Sequence, residues 1–276
     1  MLILYFFVNI SLCTTFIYII DIFHHVVCWF LHFFVCLHQI VYCISHLLIR
    51  KLLCEKIGLA WDRFRLERTA RGKQFLPQTS FTHSFTHWNF SVSHQGDYTV
   101  LAGEPGHKVG VDVMKTSRPS LSVQEFLRIM NPQFTDLDWM NIRKPGSDLD
   151  QLDMFYRHWL LKESFIKAID TGLGFDLQRV EFHISSNQIE FYYNSTIQES
   201  LLDKDHHVAV TLGKQDISTS EVSGTVCEAP PLSFTLLSFS DLRSKATPLL
   251  EEDPPTGRDF RAKSKKEAPL RQSEQQ

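Results

Sequence analysis

Lysine and arginine are absent from the first 49 residues, and Asp21 is the sole carboxylate there. No positively charged stretch precedes the apolar run, so the N-terminus does not read as a secretory signal. Leu2 to Ile20 and Val26 to Ile49 are each long enough to cross a bilayer. Basic flanking residues, however, are confined to Arg50 and Lys51. Two readings stay open for the atypical hydrophobic segment 1–45: a membrane hairpin, or a wrongly assigned start never selected to fold with the rest. The missing flanks favour the second, and membrane attachment is not expected.

Usable cysteine is scarce as well. Of the six cysteines, Cys13, Cys28, Cys36 and Cys43 fall inside the outlying segment, which leaves Cys54 and Cys227. That excludes a disulfide framework and suits a reducing compartment. A formal charge of −3 over 276 residues provides no global field for nucleic acid or an anionic membrane. An anion site would have to be local. The length accommodates one large domain or two small ones, and no internal repeat is visible.

From His46 onward the texture is that of a folded domain. Leu47 to Ile57 is amphipathic and closed by Gly58, the pattern of a helix. "FRLERTARGKQFL" (64–76) reads as a short strand followed by a basic loop, with Arg68, Arg71 and Lys73 around Gly72. "WNFSVSHQGDYTVLAGE" (88–104) reads as two strands joined by a turn at Gln95-Gly96-Asp97. "KVGVDVM" (108–114) alternates, with Val109, Val111 and Val113 on one face and Gly110, Asp112 and Met114 on the other. Helical spacing follows over 121–130, 135–142 and 149–169, the last closed by "TGLGF" (171–175). Strands are expected at 178–185, 188–193 and 205–212. Residues 213–276 form a polar, mostly disordered tail, within which the apolar patch "LSFTLLSF" (232–239) can dock back.

In "WLLKESFIK" (159–167), Glu163 and Lys167 stand one helical turn apart on one face. Leu160, Leu161, Phe165, Ile166 and Ile169 cover most of the remaining circumference, so the helix is expected to be largely buried and its charges to need partners. From these residues alone, a plain Glu–Lys pair and a catalytic acid both remain open. Asp112 on the strand and Glu163 on the helix together suit Mg²⁺, which takes few carboxylates and completes its shell with water and phosphate oxygens. Arg68, Arg71 and Lys73 offer a local anion site, and Gly72 lets the backbone approach a phosphate. Ser93 and His94 stand beside the turn. Each signal has a bland equivalent: a strand aspartate can be a cap, a basic loop can be merely solvated, and a histidine can satisfy a local hydrogen bond.

"RTARGKQFL", "FSVSHQGDY", "VGVDVM" and "WLLKESFIKAI", in this order and spacing, resemble the motifs of 4′-phosphopantetheinyl transferases, and the resemblance covers residues 46–212. It implies an α+β fold of two similar sheet-plus-helix halves related by a pseudo-two-fold. Residues 46–108 would be the remainder of the N-terminal half with the coenzyme A loop, and 109–212 the C-terminal half with the metal site. The implied reaction moves the 4′-phosphopantetheine arm of coenzyme A, a co-substrate, to a serine of apo acyl or peptidyl carrier protein domains, releasing adenosine 3′,5′-bisphosphate. By the same resemblance Asp112 and Glu163 bind Mg²⁺ and hold the pyrophosphate. Lys167 contacts phosphate, and Glu163 is the candidate base. Arg68, Arg71, Gly72 and Lys73 surround the adenosine and its 3′-phosphate, while Ser91, Ser93 and His94 form the adjoining nucleotide turn. Implied partners are carrier domains of the fatty acid synthase and aminoadipate-semialdehyde dehydrogenase types, met by a cytosolic monomer.

Two departures from the pattern matter. Many relatives carry a second acid two residues after the strand aspartate, where this chain has Met114. A thioether is a poor ligand for Mg²⁺, so water or the side-chain oxygen of Gln95 must fill that place. The N-terminal half also lacks its first strands, since residues 1–45 do not resemble them. An open sheet edge and an incomplete cleft are the expected consequences. They keep two alternatives in view: a truncated, inactive form that only binds carrier proteins, and a membrane-tethered transferase.

Overall fold

The computed structural model describes residues 2–8, 26–77, 88–144, 146–184, 189–190, 195–213, 232–244 and 246. In chain order, β1 (Ile3–Val8) precedes α1 (Val26–Ile57). A small hairpin, β2 (Glu67–Arg68) and β3 (Gln74–Phe75), carries the basic loop between its strands. Then come β4 (Trp88–Gln95), β5 (Tyr98–Pro105) and β6 (Lys108–Lys115). Three helices follow: α2 (Val123–Ile129), α3 (Asp136–Arg143) and α4 (Asp148–Ile169). The remainder is β7 (His183–Ile184), β8 (Ile189–Glu190), β9 (Ser195–Leu201), β10 (His206–Gly213), β11 (Thr235–Leu237) and α5 (Phe239–Arg243). The class is α+β, as expected, with two main sheets ordered β11-β1-β5-β4 and β6-β10-β9.

The N-terminal region departs most from expectation. No glycine or proline precedes Gly58 in the sequence, so no residue type breaks a helix before that point. α1 accordingly begins at Val26, well before Leu47, and stops at Gly58, whose φ of 75° suits a helix C-terminus. The sheet edge expected to be open is occupied. β1 runs antiparallel to β5, from Ile3 opposite Gly103 to Val8 opposite Tyr98, and Leu4 is buried. A six-residue run of β-branched, aromatic and leucine side chains is well suited to that place. The reading of Leu2–Ile20 as one apolar span therefore fails at its start, and residues 9–20 lie outside the described residues. Among the described residues, no helix is long and apolar enough to cross a membrane.

α1 packs on the first sheet through Leu48, Ile49, Leu52 and Leu53, which meet Phe64, Phe90, Leu101, Leu237 and Leu242. The 232–239 patch does dock back, since β11 pairs parallel with β1. The rest of the expected polar tail lies outside the described residues, apart from residues 240–244 and 246. Val109, Val111 and Val113 pack with Val100, Ala102, Val208 and Val210 on the face away from α4. α4 covers the opposite face through Leu160, Leu161 and Phe165 against Met114 and Ala209. The expected strand at 178–185 begins in a 3₁₀ turn, Leu177–Arg179, continues without regular structure over residues 180–182 and is strand only in β7, with residue 185 outside the described residues. Only Ile189–Glu190 of the expected 188–193 strand is described as strand, and residues 188 and 191–193 lie outside the described residues. β9 was not foreseen because, as an edge strand pairing only β10, it has no fully buried residue and little apolar alternation.

Buried charge anchors α4. Lys162, 1% exposed, reaches Asp138 at 2.6 Å and donates to the carbonyls of Leu177 and Val180 at 2.8 Å each. Its three ammonium donors thus find three acceptors, tying α3 and the 3₁₀ turn to α4. Nearby, His207 bridges Asp153 and Glu199 at 3.0 Å each, while Arg157 grips Glu199 at 2.9 Å. Burial opposes the imidazolium, but the hydrogen bonds and charges of Asp153 and Glu199 outweigh it and raise the His207 pKa to about 9.

A folded-state pKa above the unfolded one stabilises the fold fully below the unfolded value, about 6.5 for histidine. That contribution is lost as pH climbs through about 9. His207→Gln should therefore cost about 2 kcal/mol at pH 6 and flatten the fall in stability between pH 6.5 and 9. Urea denaturation across that range checks it; parallel curves for parent and variant would remove His207 from the account.

Candidate active site

The two sheets meet where β4 runs beside β6. Ser91 Oγ accepts from the Val111 amide at 3.1 Å, and Gln95 Oε1 accepts from the Lys115 amide at 2.8 Å. Between this seam and α4 lies an open cleft of about 340 Å³. Ser93, His94 and Gln95 come to it from β4, Asp112 and Met114 from β6, and Trp159, Glu163 and Lys167 from α4. Strand alternation turns Asp112 and Met114 toward the helix, and a spacing of four turns Glu163 and Lys167 toward the strand.

What permits the approach is Gly110. A Cβ there would sit 2.0 Å from the Ser164 carbonyl oxygen and 2.4 Å from the Ala168 nitrogen. Both are backbone atoms, so no rotamer change relieves the clash. The helix surface opposite is correspondingly small, and Ser164 Oγ shares a hydrogen bond of 2.9 Å with Thr211 Oγ1.

Inside the cleft, Lys167 Nζ donates to Asp112 Oδ1 at 2.6 Å and to Ser93 Oγ at 2.8 Å, while Ser93 Oγ donates to Asp112 Oδ1 at 2.5 Å. Asp112 is 5% exposed. Glu163 accepts no hydrogen bond among the described residues. Burial, and then the charge of Asp112, push its carboxyl above the usual range, with Lys167 partly offsetting them. Asp112 and Glu163 are the two carboxylates here that could hold a cation. Among the described residues no cluster of three His, Cys, Asp or Glu side chains is present. A third protein donor would have to be the Gln95 oxygen, whose second lone pair is not used by the Lys115 bond. Met114 lines the same wall.

Not every expected residue faces the cleft. Ser91 is 5% exposed and its hydroxyl serves the seam between the sheets. The basic loop lies at the C-terminal end of α4, beside Lys167. Lys73 Nζ donates to the carbonyls of Lys167 at 2.8 Å and Val109 at 3.3 Å. Burial lowers its pKa, with Asp170 opposing. Arg71 donates to the Asp170 carbonyl, and Arg68 to that of Gly72 at 2.8 Å. Gly72 has a φ of 89° and nothing near its missing Cβ, while its amide donates to the Thr69 carbonyl at 2.8 Å and its carbonyl accepts from Arg68. Sequence reading passed over Trp159 as a wall of the cleft and Ser93 as the partner of Asp112. The first signal was available in the helix spacing, the second only in three dimensions.

Gly110→Ala is expected to destabilise the chain by about 3 kcal/mol and to loosen α4 from β6. Thermal and urea unfolding would show it, and an unchanged midpoint would mean that the contact yields freely.

Residues 33–106 match the family model for the N-terminal domain of 4′-phosphopantetheinyl transferases, and residues 108–221 that of the 4′-phosphopantetheinyl transferase superfamily. Residues 33–45, read from sequence as part of an unrelated segment, thus fall inside the family's N-terminal model. The chain is 47% identical over 243 residues to an L-aminoadipate-semialdehyde dehydrogenase-phosphopantetheinyl transferase of Xenopus laevis, covering 83% of this chain and 79% of that protein. To the Homo sapiens protein of the same name it is 45% identical over 228 residues, covering 76% and 74%. A phosphopantetheinyl transferase of Thraustochytrium is 37% identical over 144 residues, about half of each chain at 50% and 49%. With this similarity running through both halves and across the cleft, the chain belongs to the 4′-phosphopantetheinyl transferase superfamily.

Proposed function

We propose that the Asp112–Glu163–Lys167 cleft is where this transferase acts, with Glu163 taking the proton of the carrier serine, directly or through water. The observation that carries this is the convergence of these side chains with Ser93 and Gln95 in one cleft. The reaction moves 4′-phosphopantetheine from coenzyme A to a carrier protein serine and releases adenosine 3′,5′-bisphosphate. Asp112, Glu163 and the Gln95 oxygen would hold Mg²⁺. When bound, the ion neutralises charge on the pyrophosphate and on the leaving nucleotide. Lys167 has three ammonium donors and spends two of them on Ser93 and Asp112, which leaves one for a phosphate oxygen. Because this chemistry depends more on alignment and charge than on covalent help, the fixed Lys167–Asp112 pair matters as scaffold and as charge. A carboxylate that ligates a cation is a weakened base, which favours water as the relay to Glu163.

The basic loop is assigned the adenosine and 3′-phosphate, with Arg68 and Arg71 as contacts, Gly72 leaving room beside them and Lys73 as the bolt that holds the loop to α4. Carrier domains of the aminoadipate-semialdehyde dehydrogenase and fatty acid synthase types are the proposed partners; the names of the relatives support the first. A cytosolic monomer suits these soluble substrates.

Glu163→Gln keeps shape and removes charge. It should slow single-turnover transfer to an apo carrier by about 10²–10⁴-fold while the protein stays folded. Transfer within a few-fold of the parent would make Glu163 structural. Arg68→Ala should raise KM for coenzyme A by about tenfold or more, as loss of a charge-assisted hydrogen bond implies, and leave dephospho-coenzyme A unaffected. Lys73→Ala should impair both, because its ammonium is committed to the protein backbone. If Arg68→Ala harms the two substrates equally, the loop does not read the 3′-phosphate.

A further inference from the structure

At the tip of the β4–β5 hairpin, two residues beyond Ser93, the two halves interlock through groups that the transfer chemistry does not use. Asp203, in the turn between β9 and β10, accepts from the amides of Asp205 and His206 at 2.8 and 2.9 Å. The same Oδ1 also accepts from His206 Nδ1 at 2.9 Å. Tyr98, the first residue of β5, donates its hydroxyl to Asp203 Oδ2 at 2.9 Å and sets its ring edge-on to His206 at 4.7 Å. The Tyr98 proton is held firmly: burial first, and then Asp203, push its pKa up to about 12. Nδ1 is held by the carboxylate, and the other ring nitrogen of His206 faces away from it.

That nitrogen is buried and has no hydrogen-bond partner. It points at the Gln95–Asp97 turn, where a Cβ on Gly96 would lie 2.4 Å away. Gly96 has a φ of 58°, so the turn needs glycine for its conformation as well as for space. Lys115 flanks the same spot, since it pairs with His206 across β6 and β10 and its amide donates to Gln95 Oε1. A ring held from behind by a carboxylate and pressed against a glycine backbone fixes where that backbone can lie. Gln95, the next residue, is the cleft's third oxygen donor.

We propose that Tyr98, Asp203 and His206 are positioning residues that press the Gln95–Asp97 turn into register, so that the Gln95 oxygen stands where a cation held by Asp112 and Glu163 can use it. This rests on the transferase reading for the identity of the cation. It adds a reason for the Gly96 turn and a function for a histidine remote from the reacting atoms. The device joins an element of each half, so it also couples the geometry of the cleft to the packing of the halves.

The test is calorimetric titration of Mg²⁺ into the full chain with coenzyme A present, for the parent, Gly96→Ala, Tyr98→Phe and the double variant Gly96→Ala/His206→Ala, with melting measured alongside. Gly96→Ala should weaken Mg²⁺ binding by about tenfold, the scale found when outer-shell supports of a metal site are disturbed. Removing the imidazole as well, in the double variant, should restore none of that loss, because the turn then lacks both the ring that holds it and the glycine its conformation needs. Tyr98→Phe should weaken Mg²⁺ with little change in melting. Mg²⁺ affinity restored to the parent's in the double variant overturns the proposal, as does a melting change in Tyr98→Phe with Mg²⁺ binding intact. Should Gly96→Ala fail to fold, Tyr98→Phe decides alone. A parent chain that binds Mg²⁺ but modifies no carrier would sink the transferase reading and leave the positioning result standing.

Discussion

The close backbone contact between β6 and α4 at Gly110 is the constraint on which the site depends. A strand and a helix normally stand apart by the depth of their side chains, and here one of those side chains is missing. The gap that remains is filled by Ser164 and Ala168, both buried. Two residues along the strand, and one residue before each contact point on the helix, this proximity lets short and long side chains meet: Asp112 from the strand, Lys167 and Glu163 from the helix. A site built on regular elements in backbone contact has little freedom to drift. The glycine and the aspartate of "VGVDVM" therefore serve one purpose, the first by its absence of side chain and the second by its charge.

The same short stretch of α4 also receives the other half of the chain. Lys73 caps the Lys167 carbonyl, and Arg71 reaches the Asp170 carbonyl, where the chain leaves the helix with a positive φ of 53°. A helix end leaves carbonyls without partners, and basic side chains satisfy them while favouring the local dipole. The basic loop is thus fastened to the helix that carries Glu163 and Lys167.

Much of this was legible in sequence where a pattern has a period. The alternation in 108–114 separated the valine core from Asp112 and Met114, and the four-residue spacing placed Glu163 with Lys167. Turn chemistry located Gln95–Asp97, and Gly58 marked the helix end. What could not be read has physical reasons. Residues 3–8 carry no periodic signal separable from the apolar residues around them, so a strand and a span looked alike until a partner, β5, was supplied. β9 is an edge strand whose polar residues give no alternation. Lys162 lies beside Glu163 in sequence, yet only tertiary structure shows it to be buried against Asp138. Ser93, expected to face nucleotide, is held between Asp112 and Lys167, a contact across sheet, strand and helix that no spacing encodes.

Met114 bears on the charge balance of the cleft. Asp112 and Glu163 bring two negative charges and Lys167 one positive, and the pair already interacts enough to raise Glu163. A third carboxylate at position 114 would face the same half-buried space and add repulsion that a single lysine could not offset. With methionine there, the cleft carries less negative charge before any cation arrives, and the wall next to Leu160 and Ala209 remains apolar. The cost is one oxygen donor. On the proposed reading the uncharged Gln95 oxygen, which already accepts from the Lys115 amide, supplies it. On that reading, an uncharged residue on the strand and an amide fixed on the hairpin are two sides of one arrangement.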